Sequence, residues 1–124
     1  TWYSFDGACG ERARQRKMPI IGDGQGVWSW IHIEDAALAT VAALTAPAGI
    51  YHIVDDDPSP MSVWLPKFAQ AMGAPPPPRI TEQEAREVAG EDAVYYATKL
   101  RGASNAKAKR TFGFKPRRLE WLSQ

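Results

Sequence analysis

Apolar side chains recur at two different periods along the chain, and the changes of period divide it into elements. In WSWIHI, residues 28–33, Trp28, Trp30, Ile31 and Ile33 are strand-formers and His32 alternates with Ile31 and Ile33, whereas DAALATVAALT places Leu38, Val41 and Leu44 at helical spacing with alanines between them. A strand over 27–33 is therefore predicted to pass into a helix over 35–45 that can pack on more than one side. Upstream, 5–17 reads as a weak helix diluted by Gly7 and Gly10 and ended before Pro19; 19–21 reads as a short strand entering a tight turn at 22–26. Downstream, Pro47 and Gly49 break the chain, IYHIV (50–54) predicts a third strand, and the Asp55–Asp56–Asp57–Pro58 run predicts a turn into a helix over about 62–72. Ser62 is its expected N-cap, Gly73 its stop, and Pro66 is expected in its opening turn.

Pro75 to Pro78 predict an extended polyproline spacer. Thr81 and Glu84 have capping-box spacing for a helix that Gly90 stops. A further helix is expected over about 92–100, another capped by Ser104 and ended by Gly113, and a last turn over 118–122. Strand, strand, helix, strand, helix and then helices alone predict an α/β fold class, or a small α+β piece, of few short strands and several helices.

Composition changes this picture in two ways. The 124 residues suit one domain, and a formal charge of +1 with 23% charged residues gives no field that selects a nucleic acid or a membrane as partner. No apolar run approaches the ~20 residues of a membrane helix, and the first residues do not read as a signal peptide. Cys9 is the sole cysteine, so no internal disulfide is possible and a reducing cytoplasm is the expected compartment; the residue itself reads as a small, half-buried side chain. The clusters Arg12, Arg14, Arg16, Lys17 and Lys107, Lys109, Arg110 read as solvated faces. Five tryptophans, in contrast, suggest more apolar surface than three short strands can cover, so that something else is expected to pack on this chain. The chain also starts at Thr1 without methionine, as a tag remnant, a processed product or a fragment would.

The candidate chemistry lies at the strand-to-helix junction. Asp35 is expected to cap the helix and complement its dipole, and His32, opposite Ile31 and Ile33, to hydrogen-bond the adjoining backbone. A metal site built from His32, Glu34, Asp35, His52 and Asp55 to Asp57 is the rival reading, and with it a small metal-dependent hydrolase. Neighbouring strand residues point to opposite faces, which argues against convergence on one ion.

Three blocks in order, G-D-G-x-G-x-W-S-W-I-H-I-E-D-A-A, G-I-Y-H-I-V-D-D-x-P and A-S-N-A-K-A-K-R-x-F-G-F-x-P, make the chain resemble the C-terminal, substrate-binding part of the NAD-dependent epimerase/dehydratase (nucleoside-sugar epimerase) family of extended short-chain dehydrogenases. The resemblance covers nearly the whole chain and implies that residues 1–124 form a single C-terminal substrate-binding domain fragment, without the N-terminal Rossmann domain. Residues 18–21 match a segment lying against the nucleotide base in relatives, which implicates Pro19 and Ile21 as pocket wall. Trp28 matches a position where relatives hold the substrate diphosphate with arginine, and Ser29 matches an aspartate. A second phosphate-contacting arginine would fall near Ala93 or Val94. Arg101 or Lys99 is left to compensate; Arg101 completes the candidate substrate-binding set. An indole offers a flat apolar face where an arginine offers a charged fork, so a smaller, less charged substrate stacked on Trp28 rivals a nucleotide sugar.

The family binds its dinucleotide at a Gly-x-x-Gly-x-x-Gly turn that opens a helix, and Gly22, Gly24 and Gly26 lie between two predicted strands instead. Tyr95 and Lys99 have the Tyr-x-x-x-Lys spacing of the family's catalytic pair but follow the His-x-x-Asp block instead of preceding it, so no catalytic residue is assigned. The expectation is a substrate-binding portion of an NAD(P)-dependent enzyme, with no cofactor bound by this chain alone and NAD(P) implied for the full-length family. Its expected partners are a small molecule, a sugar derivative by the resemblance, and a Rossmann domain or a second copy. The alternative is a non-catalytic ligand- or partner-binding homodimer.

Overall fold

Elements in this chain are short and are joined by contacts across long loops. The computed structural model describes residues 2–3 and 7–122. It contains β1 (Trp2–Tyr3), α1 (Ala8–Arg14), β2 (Ile20–Ile21), β3 (Val27–Trp28), β4 (Ile31–His32), α2 (Ile33–Ala43) and β5 (Ser59–Pro60). These are followed by α3 (Met61–Ala71), β6 (Arg79–Ile80), α4 (Glu82–Ala89), α5 (Glu91–Thr98), α6 (Ala106–Phe112) and a 3₁₀ turn (Glu120–Leu122). The strands pair as three two-stranded ribbons, β1 with β4 and β2 with β6 in parallel and β3 with β5 antiparallel. The α/β character predicted from the pattern is present. The start of the helix predicted from residue 5 lies partly outside the described residues.

Local signals worked where the partner is a near neighbour in sequence. The Thr81 hydroxyl accepts from Glu84 N–H at 3.1 Å while the Glu84 carboxylate accepts from Thr81 N–H at 2.7 Å, the reciprocal capping box that opens α4. Gly113 ends α6 in the left-handed conformation at φ 67°, which a Cβ would disfavour.

Other expectations are corrected. The predicted 27–33 strand is two ribbons, with Ser29 and Trp30 between them, and α2 begins at Ile33 instead of Asp35. Its N-cap is His32, whose Nδ1 accepts from Glu34 N–H at 3.2 Å. Asp35 is not the cap: it is buried and accepts from the Arg117 backbone N–H at 2.7 Å and from Arg117 Nε at 3.2 Å, tying the C-terminal segment across α2. Ser62 lies inside α3, whose N-cap is Pro60, so Pro66 falls in the helix interior and removes one backbone donor there. Asn105, not Ser104, is the N-cap of α6, although the Ser104 hydroxyl accepts from Ala106 N–H at 3.2 Å. Residues 50–54 form no strand.

The core is aromatic and centred on Trp30. Trp64 lies edge-on to it at 4.8 Å between centroids, Trp121 at 5.6 Å, and Phe68 stacks at 6.0 Å. α3 supplies Trp64, Leu65 and Phe68, all fully buried, because its apolar positions recur at helical spacing. A second, smaller core joins Ile31 and Ala39 to Ala108 and Phe114. Of the tryptophans expected to give more apolar surface than the strands could cover, Trp30, Trp64 and Trp121 are internal. The uncovered apolar surface lies on α2 instead, where Leu38 is 67%, Val41 66% and Leu44 82% exposed.

Candidate ligand cleft

β3 and the segment that follows α5 run side by side and form the walls of a cleft. Gly26 N–H donates to Ala97 O at 2.8 Å and Val27 N–H to Leu100 O at 2.7 Å, so the two backbones are in direct register. Such an approach requires glycine: a Cβ at position 26 would collide with the Tyr96 carbonyl oxygen and lie 2.7 Å from Ala97 C. One residue further, Trp28 is fixed on both sides of its ring. Its indole Nε1 donates to Tyr96 O at 2.9 Å, and its face stacks on Trp30 at 6.0 Å with 22° between planes. The Ser29 hydroxyl accepts from Ala103 N–H at 2.8 Å, which pins the far end of the same loop.

Between these walls is a cleft of about 430 Å³, lined by Trp28, Ser29, Tyr96, Leu100 and Arg101, with Val54 and Ala103 beneath. Its lining is mainly apolar and aromatic, and Arg101 is the cationic residue in it. Three of the five residues expected from the sequence, Trp28, Ser29 and Arg101, therefore meet at one place. Pro19 and Ile21 do not join them. Ile21 is a buried core residue paired in β2, and Pro19 is half-buried ahead of it. Tyr96 was not singled out from the sequence. The only available signal was its place in α5 beside Val94 and Ala97, which are buried and turn Tyr96 outward.

The acidic run behind the cleft is structural. The Asp55 carboxylate accepts from Trp30 N–H at 3.1 Å and Asp57 N–H at 2.6 Å, forming the predicted turn and anchoring the Trp30 backbone. Burial raises the Asp55 pKa above the ordinary aspartate value, and those two hydrogen bonds oppose the rise. Asn105 Nδ2 donates to Val54 O at 3.0 Å and to Asp56 at 2.7 Å, and Lys109 Nζ lies 2.6 Å from the same Asp56 carboxylate. The Asn105 hydrogen bond, then Lys109, holds the Asp56 pKa below its ordinary value. No group of three or more His, Cys, Asp or Glu among the described residues is arranged to hold a metal ion. Tyr95 and Lys99 sit at the end of α5, where Lys99 N–H bonds Tyr95 O, and neither lines the cleft.

The glycine turn does not fit a dinucleotide. It connects β2 to β3 and opens no helix, and its inner side is already filled: a Cβ on Gly24 would lie 3.0 Å from the Ser62 backbone nitrogen, and one on Gly26 would strike α5. The N–H groups of Gly22, Gly24 and Gly26 already donate to Ile80 O, Ile21 O and Ala97 O, so the turn does not present them to a pyrophosphate. No helix among the described residues is long and apolar enough to cross a membrane.

No family model matches the chain. A curated protein from Streptomyces sp, 3-diazoavenalumate denitrifying reductase, is 38% identical over 122 residues, which is 98% of this chain and 40% of that protein. The chain therefore spans about two fifths of the length of that relative. Among solved structures, human epimerase family protein SDR39U1 with NADPH is similar with a TM-score of 0.76 at 20% identity, over 93% of this chain and 41% of that one. DesIV, a dTDP-glucose 4,6-dehydratase from Streptomyces venezuelae with NAD and TYD bound, is similar with a TM-score of 0.58 at 19% identity, over 83% and 30%. RMD from Pseudomonas aeruginosa complexed with NADPH gives 0.56 at 15%, over 98% and 39%.

Proposed function

We propose that this chain, which has the fold of part of the NAD(P)-dependent epimerase/dehydratase proteins of the extended short-chain dehydrogenase superfamily, is the substrate-facing C-terminal portion of an oxidoreductase of that kind. On this reading it is catalytically incomplete alone. The observation that carries the proposal is the cleft between Trp28 and Tyr96, with Arg101 among its lining residues. NAD(P) supplies hydride chemistry in such proteins, and because the glycine turn here does not fit a dinucleotide, no chemical step is assigned to these residues. Their part is to bind and orient.

The lining favours one substrate class over another. Two aromatic side chains and Leu100 reward the burial of a flat apolar body, and one guanidinium matches one anionic group. A diphosphate would bring at least two negative charges to a wall with an indole where relatives place arginine. The preferred ligand is therefore a small aromatic molecule with a single anionic group, in preference to a nucleoside-diphosphate sugar. The reductase name of the Streptomyces protein supports reduction over epimerisation.

Titration of the ¹⁵N-labelled chain with 4-hydroxycinnamate and, separately, with UDP-glucose tests this. The aromatic acid is expected to shift the Trp28 indole N–H and the Ala103 amide in a saturable way, and UDP-glucose to leave both in place. Tighter binding of UDP-glucose, or no perturbation at either signal by the acid, overturns the reading.

A further inference from the structure

Arg101 is the cation among the cleft residues, and its side chain is committed to no other group. It is exposed, and no hydrogen bond, ion pair or ring contact joins it to another described residue. An arginine without partners keeps most of its rotamer freedom, which a ligand must quench on binding. What sets the reach of such a cation is the backbone that carries it.

That backbone is spanned by two anchors, both on the β3 side of the cleft. Ahead of Arg101, Leu100 O accepts from Val27 N–H at 2.7 Å; behind it, Ala103 N–H donates to the Ser29 hydroxyl at 2.8 Å. Between the anchors, Arg101 and Gly102 make no backbone-to-backbone hydrogen bond with another described residue. Gly102 nevertheless lies so close to the same wall that a Cβ on it would stand 2.9 Å from Val27 Cγ1 and 3.0 Å from Pro58 Cβ. The span 101–103 is thus laid against the ribbon of β3 and β5. Its two anchors differ in kind. The bond at Leu100 joins backbone to backbone, which almost any sequence can do, whereas the bond at Ala103 needs a side chain, and Ser29 supplies it.

We propose that Ser29 is a positioning residue for anion recognition: by accepting from Ala103 N–H it holds the 101–103 span on the cleft wall, so that Arg101 meets the anionic group of a bound ligand at a fixed reach. Ser29 acts through this loop. A loop ordered before the ligand arrives removes the cost of ordering it from binding, and the gain falls on the charged group that Arg101 recognises. Ser29 therefore sets how strongly the cleft prefers a carboxylate over a neutral analogue of the same shape. The inference rests on the aromatic-acid reading of the cleft and adds to it the residue that tunes its charge selectivity.

Calorimetric titration of the 124-residue chain with 4-hydroxycinnamate and with its neutral amide, 4-hydroxycinnamamide, tests this, because the two probes share a ring and differ in charge. The wild type is expected to prefer the acid about tenfold or more, and Arg101→Met to erase that preference. Ser29→Ala should weaken the acid about fivefold or more beyond any effect on the amide, and Ser29→Thr, which keeps the hydroxyl, should restore the preference. In the Arg101→Met background, Ser29→Ala should cost the acid no more than it costs the amide. Exchange of the Ala103 amide reads the anchor itself: about tenfold faster in Ser29→Ala, and within about twofold of the wild type in Ser29→Thr. A serine that only supports the fold would weaken both probes alike, and that result overturns the proposal. A preference for the acid that survives Ser29→Ala but not Arg101→Met also overturns it, while leaving the aromatic-acid reading in place. Failure of the wild type to bind the acid removes that reading, and this proposal with it.

Discussion

Replacing Gly26 by alanine should destabilise the protein strongly, against the usual sign of that change. Glycine to alanine at a backbone conformation open to both normally stabilises by about 0.4–1 kcal/mol through the unfolded state. Gly26 is not among the glycines with positive φ, so backbone strain plays no part. What opposes the substitution is contact: the new Cβ would collide with Tyr96 O and lie 2.7 Å and 2.8 Å from Ala97 C and O, which are backbone atoms that no rotamer change can move. Overpacking of this kind costs about 1–3 kcal/mol. Relief requires α5 to withdraw, which breaks Gly26 N–H to Ala97 O and Val27 N–H to Leu100 O, at about 1 kcal/mol each. The sum, about 3–5 kcal/mol, is a large part of the roughly 5–15 kcal/mol that holds such a domain folded. Urea unfolding followed by tryptophan fluorescence measures it, and the Trp28 indole N–H signal should move as well because its acceptor, Tyr96 O, sits at the same seam. Gly73→Ala is the control: at φ +63° with no atom within 4 Å it has strain without a clash and should cost about 1–2 kcal/mol. Should Gly26→Ala unfold within about 0.5 kcal/mol of the wild type, the close approach of β3 and α5 would be wrong, and the cleft with it.

Asp35→Asn should cost about 1.5–3 kcal/mol, since a buried carboxylate that accepts from the Arg117 backbone and side chain loses its charge-assisted bonds; a double-mutant cycle with Arg117→Ala should show coupling, and additivity would refute the tether. Burial, then Glu120, raises the Tyr3 phenol from 10.0 to about 12. The fold favours its neutral form, so its contribution to stability is whole below pH 10 and is lost as pH rises from there to about 12. Tyrosinate difference absorbance should show a late-titrating group that Tyr3→Phe removes, and a Tyr3 midpoint at the ordinary value would contradict this. Trp28→Arg should weaken binding of the aromatic acid about tenfold or more, some 1.4 kcal/mol, and strengthen that of UDP-glucose, as calorimetry would read; unchanged preference would remove Trp28 from the ligand wall.

Legibility in the sequence followed the distance between partners. The capping box of Thr81 and Glu84, the stops at Gly90 and Gly113 and the turn at Asp55 to Asp57 each join residues within a few positions, where one spacing admits one geometry. α2 was foreseen as a helix, but its start was misplaced by two residues because His32 and Asp35 are both credible caps until Arg117, 82 residues away, claims the carboxylate. β6 and β5 were not foreseen at all, since Arg79–Ile80 and Ser59–Pro60 become strands only by pairing with β2 and β3. The cleft divided in the same way. Trp28 and Ser29 were named by resemblance and Arg101 as a compensating cation, while Tyr96 and Leu100 needed the contact between α5 and β3.

The capping box of α4, the stops at Gly90 and Gly113 and the apolar character of α2 are properties of this sequence alone, because they depend on side chains that meet within a turn or two of backbone. Which apolar face is buried, which acid holds which base, and whether 50–54 is a strand were decided by tertiary structure. A strand exists only where another backbone answers its hydrogen bonds, and a carboxylate becomes a tether only where folding carries a distant guanidinium to it.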